Sequence, residues 1–389
     1  MTRAVPLDRW TPLLLLFAAC SDVGGESRDP EAAPDRPVTT NPPSPAVAGM
    51  GAAAGSAGNA GTGQQGAAPV AGSAAMPATA GSAALDADVP MPDATVPETD
   101  PPPGEDGGPL EIAFACPGGK IAAGMNSLVV GSLTRAFYTE LPSNMSGPVG
   151  IVFSWHGFND AGSDGDAAGW RNADEVDANA DPANPVIVVT PFDVDFEIPV
   201  GLDWQFDQPT SATNVDLAFF EAMVGCFNAQ YDIDPTRIYS YGFSAGSVMS
   251  SLIHSAYPKL VSAIVCVSGM WFNDQAQVDL IQLLPVAGTW PLLDARDGGT
   301  VLLTHGGPGD VTVLNIANLE NMAQAAFPYL KANGRLVVDC PHGGGHTLHP
   351  ELSTEHVMRF FAEHRGGEPS PYASGVLSGY PSSCSLRLP

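Results

Sequence analysis

From about residue 149 onward, short apolar runs alternate along the chain with segments of helical periodicity. The apolar runs predict strands at residues 149–155, 186–190, 238–241, 263–267, 300–304 and 336–338. Strands that alternate with helices favour an α/β architecture, a mostly parallel sheet with helices on both faces. Ligands in such folds bind beyond the carboxyl ends of the strands, so we expect functional residues in the loops that follow them.

Two helices are predicted between these strands. Apolar residues spaced at i, i+3, i+4 and i+7 form one stripe from Val215 to Phe227. Thr213, with Asp216 three residues later, predicts a capped start for this helix. The second helix is predicted over residues 245–257, and Pro258 ends it.

Residues 1–20 have the features of an export signal. Arg3 and Arg9 accompany an apolar run at residues 13–19 that is too short to span a bilayer comfortably. The run ends at Cys20 in a sequence that resembles a bacterial lipobox, where the cysteine after the cleavage site receives a lipid. We expect a secreted or membrane-anchored protein of the periplasm or cell surface. Its only membrane contact would be a lipid on Cys20; the alternative is an ordinary secretory signal that ends in cysteine.

Residues 21–110 are rich in Pro, Gly, Ala and Ser and contain almost no large apolar side chains. Such a segment buries too little surface to offset the entropy of ordering it, which predicts a disordered linker. Residues 111–389 then form one large domain.

The chain carries 42 acidic against 15 basic residues, a net charge of −27. A nucleic-acid-binding surface needs a basic footprint, so this balance argues against nucleic acid as a partner. It equally disfavours adsorption to anionic lipid headgroups.

The cysteines are Cys20, Cys116, Cys226, Cys266, Cys340 and Cys384. If Cys20 is lipidated, an odd number remains in an oxidising compartment, so at least one is unpaired or pairs between chains. A bond between Cys340 and Cys384 could link the C-terminal tail to the domain. Cys266, inside an apolar run, could be a buried free thiol. The sequence leaves the connectivity open.

The candidate chemistry begins at Gly242-Phe243-Ser244-Ala245-Gly246, a G-x-S-x-G motif. The motif follows a predicted strand and opens a predicted helix, as a nucleophile elbow requires. The helix N-terminus favours negative charge that develops nearby. We therefore predict that Ser244 is a nucleophile.

A serine nucleophile needs a general base, and the base needs an acid that holds its tautomer. Asp310, in the loop after the predicted strand at residues 300–304, is the expected acid, and His346, in a glycine-rich loop after the last strand, is the expected base. The competing aspartates precede that strand or lie close to the histidine loop: Asp294, Asp297 and Asp339. A histidine-rich tract is also typical of metal sites, but with the serine and the acid already placed we predict no metal and no cofactor.

Acyl transfer also needs N–H donors for the oxyanion. We predict one at Ala245, next to the nucleophile, and a second at Phe158, in the loop after the first predicted strand. His156, Trp204 and Trp271 follow predicted strands and are predicted to line the substrate pocket, although the two tryptophans fit packing roles equally well.

Residues 147–365 resemble a family of esterases that includes polyhydroxybutyrate depolymerases and feruloyl and acetylxylan esterases. The order and spacing of several segments carry this resemblance: Trp155-His156-Gly157, residues 231–239, the serine motif, Tyr257-Pro258, Val267-Ser268-Gly269, His305-Gly306 with Asp310, and Gly345-His346. The resemblance implies an α/β-hydrolase fold, with residues 111–389 as the catalytic domain of a hydrolase that acts on polymer-derived esters.

Two segments depart from the family's pattern. Residues 345–350 replace the usual Gly-His-x-Trp-Pro, and Phe158 replaces the usual cysteine after His-Gly. Because both segments lie at the mouth of the expected site, the family's substrate does not carry over directly to this chain. We expect a serine ester hydrolase that acts on polyhydroxyalkanoate or other polyester oligomers, with a feruloyl or acetylxylan esterase as the alternative. A peptidase on the same fold and a surface lipoprotein that binds without catalysis are the remaining alternatives.

Overall fold

The computed structural model describes residues 112–158, 176–193, 204–281, 289–294, 298–312 and 317–389. The predicted export signal, Cys20 and the predicted linker lie outside these residues. The strands are β1 (Gly124–Val130), β2 (Leu133–Glu140), β3 (Val149–Trp155), β4 (Val186–Pro191), β5 (Ile233–Phe243), β6 (Ala263–Val267), β7 (Thr300–His305), β8 (Leu336–Pro341) and β9 (Ser385–Arg387). The helices are α1 (Val215–Gln230), α2 (Ala245–Ala256), α3 (Gln275–Val278), α4 (Leu319–Ala332) and α5 (Thr354–Ala362), with short 3-10 turns at Gly307–Gly309 and Pro371–Ser374.

The strands of the described residues form one sheet in the order β1-β2-β4-β3-β5-β6-β7-β8-β9. The central strands, from β4 through β8 in this order, pair in parallel. The pair β1-β2 at one edge and β9 at the other pair antiparallel with their neighbours. The predicted, mostly parallel sheet is therefore confirmed, and antiparallel strands that the sequence pattern did not reveal extend it at both edges.

Helices cover both faces of the sheet, and each face has its own hydrophobic cluster. Ile151 and Phe153 of β3 join the cluster that α1, α2 and α4 complete, whereas Val152 between them joins the cluster under α5. Successive side chains of a strand point to opposite faces. A strand that is buried on both faces is therefore apolar at every position, which is the pattern that made β3 predictable.

The start of α1 corrects one prediction. Asn214, not Thr213, caps the helix: its side chain accepts hydrogen bonds from the N–H groups of Asp216 and Leu217, each at 2.9 Å. The hydroxyl of Thr213 lies 3.1 Å from that of Thr210, one turn earlier, and so contributes to the preceding turn.

Two disulfides join distant parts of the domain. Cys116, ahead of β1, is bonded to Cys226 of α1, and Cys340 of β8 is bonded to Cys384 of the C-terminal tail. The predicted link between the tail and the domain is confirmed. Cys266 is a buried free thiol, and burial raises its pKa to about 12, so that it stays protonated. The disulfides fit an oxidising, extracytoplasmic compartment. In the part of the chain that the structure describes, no helix has the length and apolar character needed to cross a membrane.

A fully buried ion pair ties the antiparallel edge to α1. Arg135 of β2 and Asp216 of α1 approach to 2.7 Å, and neither side chain is exposed. The guanidinium also lies over the ring of Phe219 and donates to the carbonyl of Phe192. Burial raises the pKa of Asp216, against the opposing effects of Arg135 and of the Gln205 N–H. Each charge is tolerated in the interior because the other is present.

Removal of one partner of this pair should cost much more stability than removal of both. Arg135→Met leaves a buried carboxylate without its cation, and we expect a loss of about 3–5 kcal/mol in the free energy of unfolding. Asp216→Asn added to Arg135→Met removes that charge and keeps an acceptor for the Gln205 N–H, so the double variant should be more stable than Arg135→Met alone. Urea unfolding of the four forms of this cycle measures the coupling. Strictly additive losses would contradict the mutual dependence.

Candidate active site

Ser244 stands at a sharp turn between β5 and α2. Its backbone has φ 54° and ψ −117°, a conformation that is costly for a residue with a side chain. The Ser244 N–H donates to the carbonyl of Val267, at the end of the neighbouring strand β6, at 2.9 Å. The sheet therefore holds the turn that presents the Ser244 hydroxyl.

The glycines that flank Ser244 are required by close backbone contacts. A Cβ on Gly242 would lie 2.1 Å from the carbonyl oxygen of Gly246, and a Cβ on Gly246 would lie 2.0 Å from that of Trp155. Both separations are far below van der Waals contact. The serine turn thus folds tightly on itself and packs against the end of β3.

Ser244, His346 and Asp310 form a continuous hydrogen-bonded chain. His346 Nε2 lies 2.9 Å from Ser244 Oγ, and His346 Nδ1 lies 2.8 Å from Asp310 Oδ1. A carboxylate beside Nδ1 favours the tautomer in which Nδ1 carries the proton and Nε2 accepts from the serine. The ring of Phe243 stacks on the imidazole with centroids 4.9 Å apart, which fixes its plane. The structure therefore brings together the three residues predicted for nucleophile, base and acid.

Asp310 is fully buried, and its second oxygen is also satisfied. Oδ2 accepts hydrogen bonds from the Ser268 hydroxyl and the Gly306 N–H, each at 2.8 Å. Burial alone would raise the pKa of Asp310, but the hydrogen bonds from His346, Gly306 and Ser268 outweigh it and hold the pKa below its ordinary value of 3.8. The carboxylate is therefore ionised at neutral pH.

The loops that carry Asp310 and His346 pack directly on each other. The Gly345 N–H donates to the Gly306 carbonyl at 3.0 Å, and a Cβ on Gly306 would lie 1.8 Å from the Gly345 carbonyl oxygen. The parallel pairing of β7 with β8 delivers both loops to the same edge of the sheet. This contact sets the separation of acid and base.

The two N–H groups predicted to face an oxyanion lie on adjoining segments. Ala245 begins α2, whose first N–H groups have no acceptors within the helix. Phe158 follows the end of β3, the segment against which Gly246 packs. The turn and this loop are therefore neighbours, as a shared anion site requires.

The residues predicted to line the substrate pocket are buried. The exposed fractions are 2% for His156, 1% for Trp204 and 0% for Trp271. Trp204 packs edge-on against Trp155 with centroids 5.0 Å apart. This burial favours the packing interpretation of both tryptophans over direct contact with a substrate.

His342 and His349, on either side of His346 in the sequence, line a cavity that also includes Glu351 and Ser383. His349 Nε2 lies 3.0 Å from the Ser383 hydroxyl, and its Nδ1 accepts from the Glu351 N–H. Burial lowers the pKa of both His342 and His349. Among the described residues, no cluster of His, Cys, Asp or Glu could hold a metal ion.

The arrangement of strands and helices in this chain is also found in known structures. Native sOPH superposes with a TM-score of 0.52 at 18% sequence identity, over 71% of this chain and 97% of that one. Native pOPH superposes with a TM-score of 0.50 at 19% identity, over 71% of this chain and 97% of that one. The chain has the α/β-hydrolase fold.

A thermostable esterase is less similar, with a TM-score of 0.42 at 17% identity over 62% of each chain. No protein-family model matches the sequence, and no curated protein is significantly similar to it. Because the sequence identities are all below 20%, these similarities establish the fold only.

Sequence reasoning missed the groups that surround Ser244, His346 and Asp310. Ser268 follows β6, and its positive φ of 52° turns its hydroxyl toward Asp310. The strand-ending Ser268-Gly269 pair was visible in the sequence, but nothing local connected it with a carboxylate 42 positions away. Phe243 was seen only as the variable position of the serine motif.

Loss of the Ser268 hydroxyl should weaken the protein in a pH-dependent way. A carboxylate with a depressed pKa contributes stability above its unfolded pKa of about 3.9 and loses it as the pH falls through its folded pKa. Ser268→Ala removes one donor to Asp310 and should cost about 1–3 kcal/mol near pH 6 and less near pH 3. Denaturant unfolding at both pH values measures this difference.

Ser250→Ala is the matched control. Ser250 is equally buried, but it shares its hydrogen bond with the neutral hydroxyl of Ser240, at 2.8 Å. The stability loss of this control should not depend on pH. An equal pH dependence in the two variants would mean that Ser268 does not act on the charge of Asp310.

Proposed function

We propose that the protein is a serine ester hydrolase that works through an acyl-enzyme. The observation that carries the proposal is the unbroken hydrogen-bonded chain from Ser244 Oγ through His346 to the buried Asp310. The strained backbone at Ser244 adds to it, because strain of this kind persists only where the surrounding structure holds it and is typical of functional sites.

In the first step, Ser244 Oγ attacks the ester carbonyl carbon while His346 Nε2 takes its proton. The carbonyl oxygen becomes an oxyanion, for which the N–H groups of Ala245 and Phe158 are the proposed donors. Collapse of this intermediate breaks the bond to the alcohol oxygen, which receives the proton from His346. The acyl group is then bonded to Ser244 Oγ.

In the second step, water attacks the acyl-enzyme, and His346 takes a proton from it. Ser244 Oγ leaves with that proton, and the carboxylic acid is released. Asp310 stays ionised in both steps, because its hydrogen bonds keep its pKa low, and it stabilises the imidazolium that forms twice in each cycle.

For the substrate, we propose esters of polymer origin, polyhydroxyalkanoate or other polyester oligomers in the first place. The support is the order and spacing of the segments that resemble polyhydroxybutyrate depolymerases, from Trp155-His156-Gly157 to Gly345-His346. Feruloyl and acetylxylan esters, the substrates of other members of that family, form the comparison set of the experiment below.

The decisive variant is Ser244→Ala, assayed by release of nitrophenol from short-chain nitrophenyl esters. Loss of the nucleophile should reduce kcat by at least about a thousandfold, because the base and the acid act only through it. Alanine at the same strained turn should leave thermal stability almost unchanged. A fluorophosphonate probe should label the wild type and not Ser244→Ala.

Ser250→Ala, which changes a buried serine in the helix that follows Ser244, should keep activity and labelling. Substantial turnover in Ser244→Ala would point to another nucleophile. A folded wild type that neither turns over esters nor reacts with the probe would favour a binding protein. If the wild type is active, faster cleavage of amides than of matched esters would favour a peptidase. Faster cleavage of feruloyl or acetyl-sugar esters than of hydroxyalkanoate oligomers would indicate a plant polysaccharide substrate.

We also propose that the protein is exported and anchored by a lipid on Cys20. The lipobox-like segment supports both export and the anchor, and the disulfides support export. Expressed in a bacterium, the wild type should partition into the detergent phase of a detergent–water separation, whereas Cys20→Ser should move to the aqueous phase, because it lacks the acyl chains. The neighbouring change Ser21→Ala should behave as the wild type. Equal partition of wild type and Cys20→Ser would indicate an ordinary secretory signal.

A further inference from the structure

Trp204 makes a directed contact that simple packing does not require. Its indole N–H donates to the backbone carbonyl of His156 at 3.1 Å, and its ring lies against the His156 imidazole with centroids 4.6 Å apart. Both side chains are almost fully buried. Trp204 therefore holds His156 through its backbone and its side chain at once.

The same His156 carbonyl is held from the side of the nucleophile. A Cβ on Gly246 would lie 2.5 Å from its oxygen, so the first turn of α2 packs against this peptide group. The carbonyl has little freedom to rotate between the indole of Trp204 and the backbone of Gly246. This contact sets the position of the loop relative to Ser244.

The His156 side chain in turn holds the peptide group between Gly157 and Phe158. Its Nδ1 lies 2.9 Å from the carbonyl oxygen of Gly157, and because a carbonyl can only accept, Nδ1 carries the proton. The Gly157 carbonyl and the Phe158 N–H belong to one planar trans peptide, in which they point in opposite directions. A fixed direction for the carbonyl is therefore a fixed direction for the Phe158 N–H.

We propose that Trp204 is a positioning residue that, through His156, orients the Phe158 N–H toward the oxyanion. This inference rests on the proposed esterase function and names a residue on which its rate depends without contact with the substrate. A donor that is already aimed when charge develops needs no reorganisation at that moment, which is why its orientation affects the transition state. An ester in its ground state gains much less from the same donor, so the effect belongs to kcat.

The test is Trp204→Phe, which keeps an aromatic ring at this position and removes the N–H donor together with part of the indole volume. We expect kcat for a nitrophenyl ester to fall by roughly tenfold or more, a part of the roughly 10²–10³ that loss of a whole oxyanion donor costs. KM should change by less than about threefold. The affinity for phenylboronic acid, whose adduct with Ser244 places an oxygen at the oxyanion position, should fall in parallel with kcat/KM.

Trp290→Phe is the matched control, because Trp290 is also buried and also donates its indole N–H to a backbone carbonyl, that of Phe206 at 2.9 Å. This variant should lose comparable stability while it keeps kcat and boronate affinity. A merely structural role of Trp204 predicts the same behaviour for both variants, and that result overturns the inference.

The outcomes also separate this inference from the function on which it rests. A wild type that cleaves esters and reacts with the fluorophosphonate probe, together with a Trp204→Phe variant of unchanged kcat and boronate affinity, overturns the inference alone. A wild type without turnover or labelling overturns the esterase proposal, and the inference falls with it.

Discussion

The contact between the serine turn and the end of β3 is the constraint on which the rest of the site depends. Gly246 lies so close to the Trp155 carbonyl that no side chain fits between them. The backbone of Ser244 is strained in this arrangement. A hydrogen bond from its N–H to the carbonyl of Val267 also attaches the turn to the end of β6. Strain of this kind persists because the buried parallel sheet is more costly to distort than the turn. Ser244, the proposed nucleophile, and the proposed oxyanion loop are thus parts of a single packed unit.

Asp216 and Asp310 are both buried, but their pKa values are shifted in opposite directions. Asp216 has one cation, Arg135, and one N–H donor, yet burial prevails and raises its pKa. Asp310 has the hydroxyl of Ser268, the Gly306 N–H and the imidazole, and these hydrogen bonds lower its pKa although burial opposes them. Asp216 links β2 to α1 through its ion pair with Arg135, whereas Asp310 is an ionised carboxylate hydrogen-bonded to His346. The two pKa values shift in opposite directions because Asp216 is the more deeply buried carboxylate and Asp310 accepts more hydrogen bonds.

The C-terminal tail braces the strand that precedes the histidine loop. The disulfide of Cys340 with Cys384 and the short strand β9 attach the tail to β8. Arg387 donates two hydrogen bonds to Asp339, one of the aspartates that competed with Asp310 in the sequence, and covers the ring of Phe327. Asp339 thus binds the tail through Oδ2, while its Oδ1 lies 3.5 Å from His305 Nε2. The loop that carries His346 consequently starts from a strand held on both sides.

The sequence by itself determined the central parallel strands, the serine turn and the order of serine, acid and histidine, because these depend on hydrophobic period and on glycines at adjacent positions. Only the tertiary structure decided which groups surround them. Ser268 and Asp310, Cys116 and Cys226, and Trp204 and His156 are pairs far apart in the chain, and a local pattern carries no signal for a contact that the packing of separate elements creates. The edge strands were not predicted for a related reason. Strands β1 and β2 are buried on one side only, and β9 is three residues long, so none of them has the continuous apolar run of a central strand. The cap at Asn214 in place of Thr213 was decided likewise by the backbone path of the preceding turn, which residue types alone do not specify.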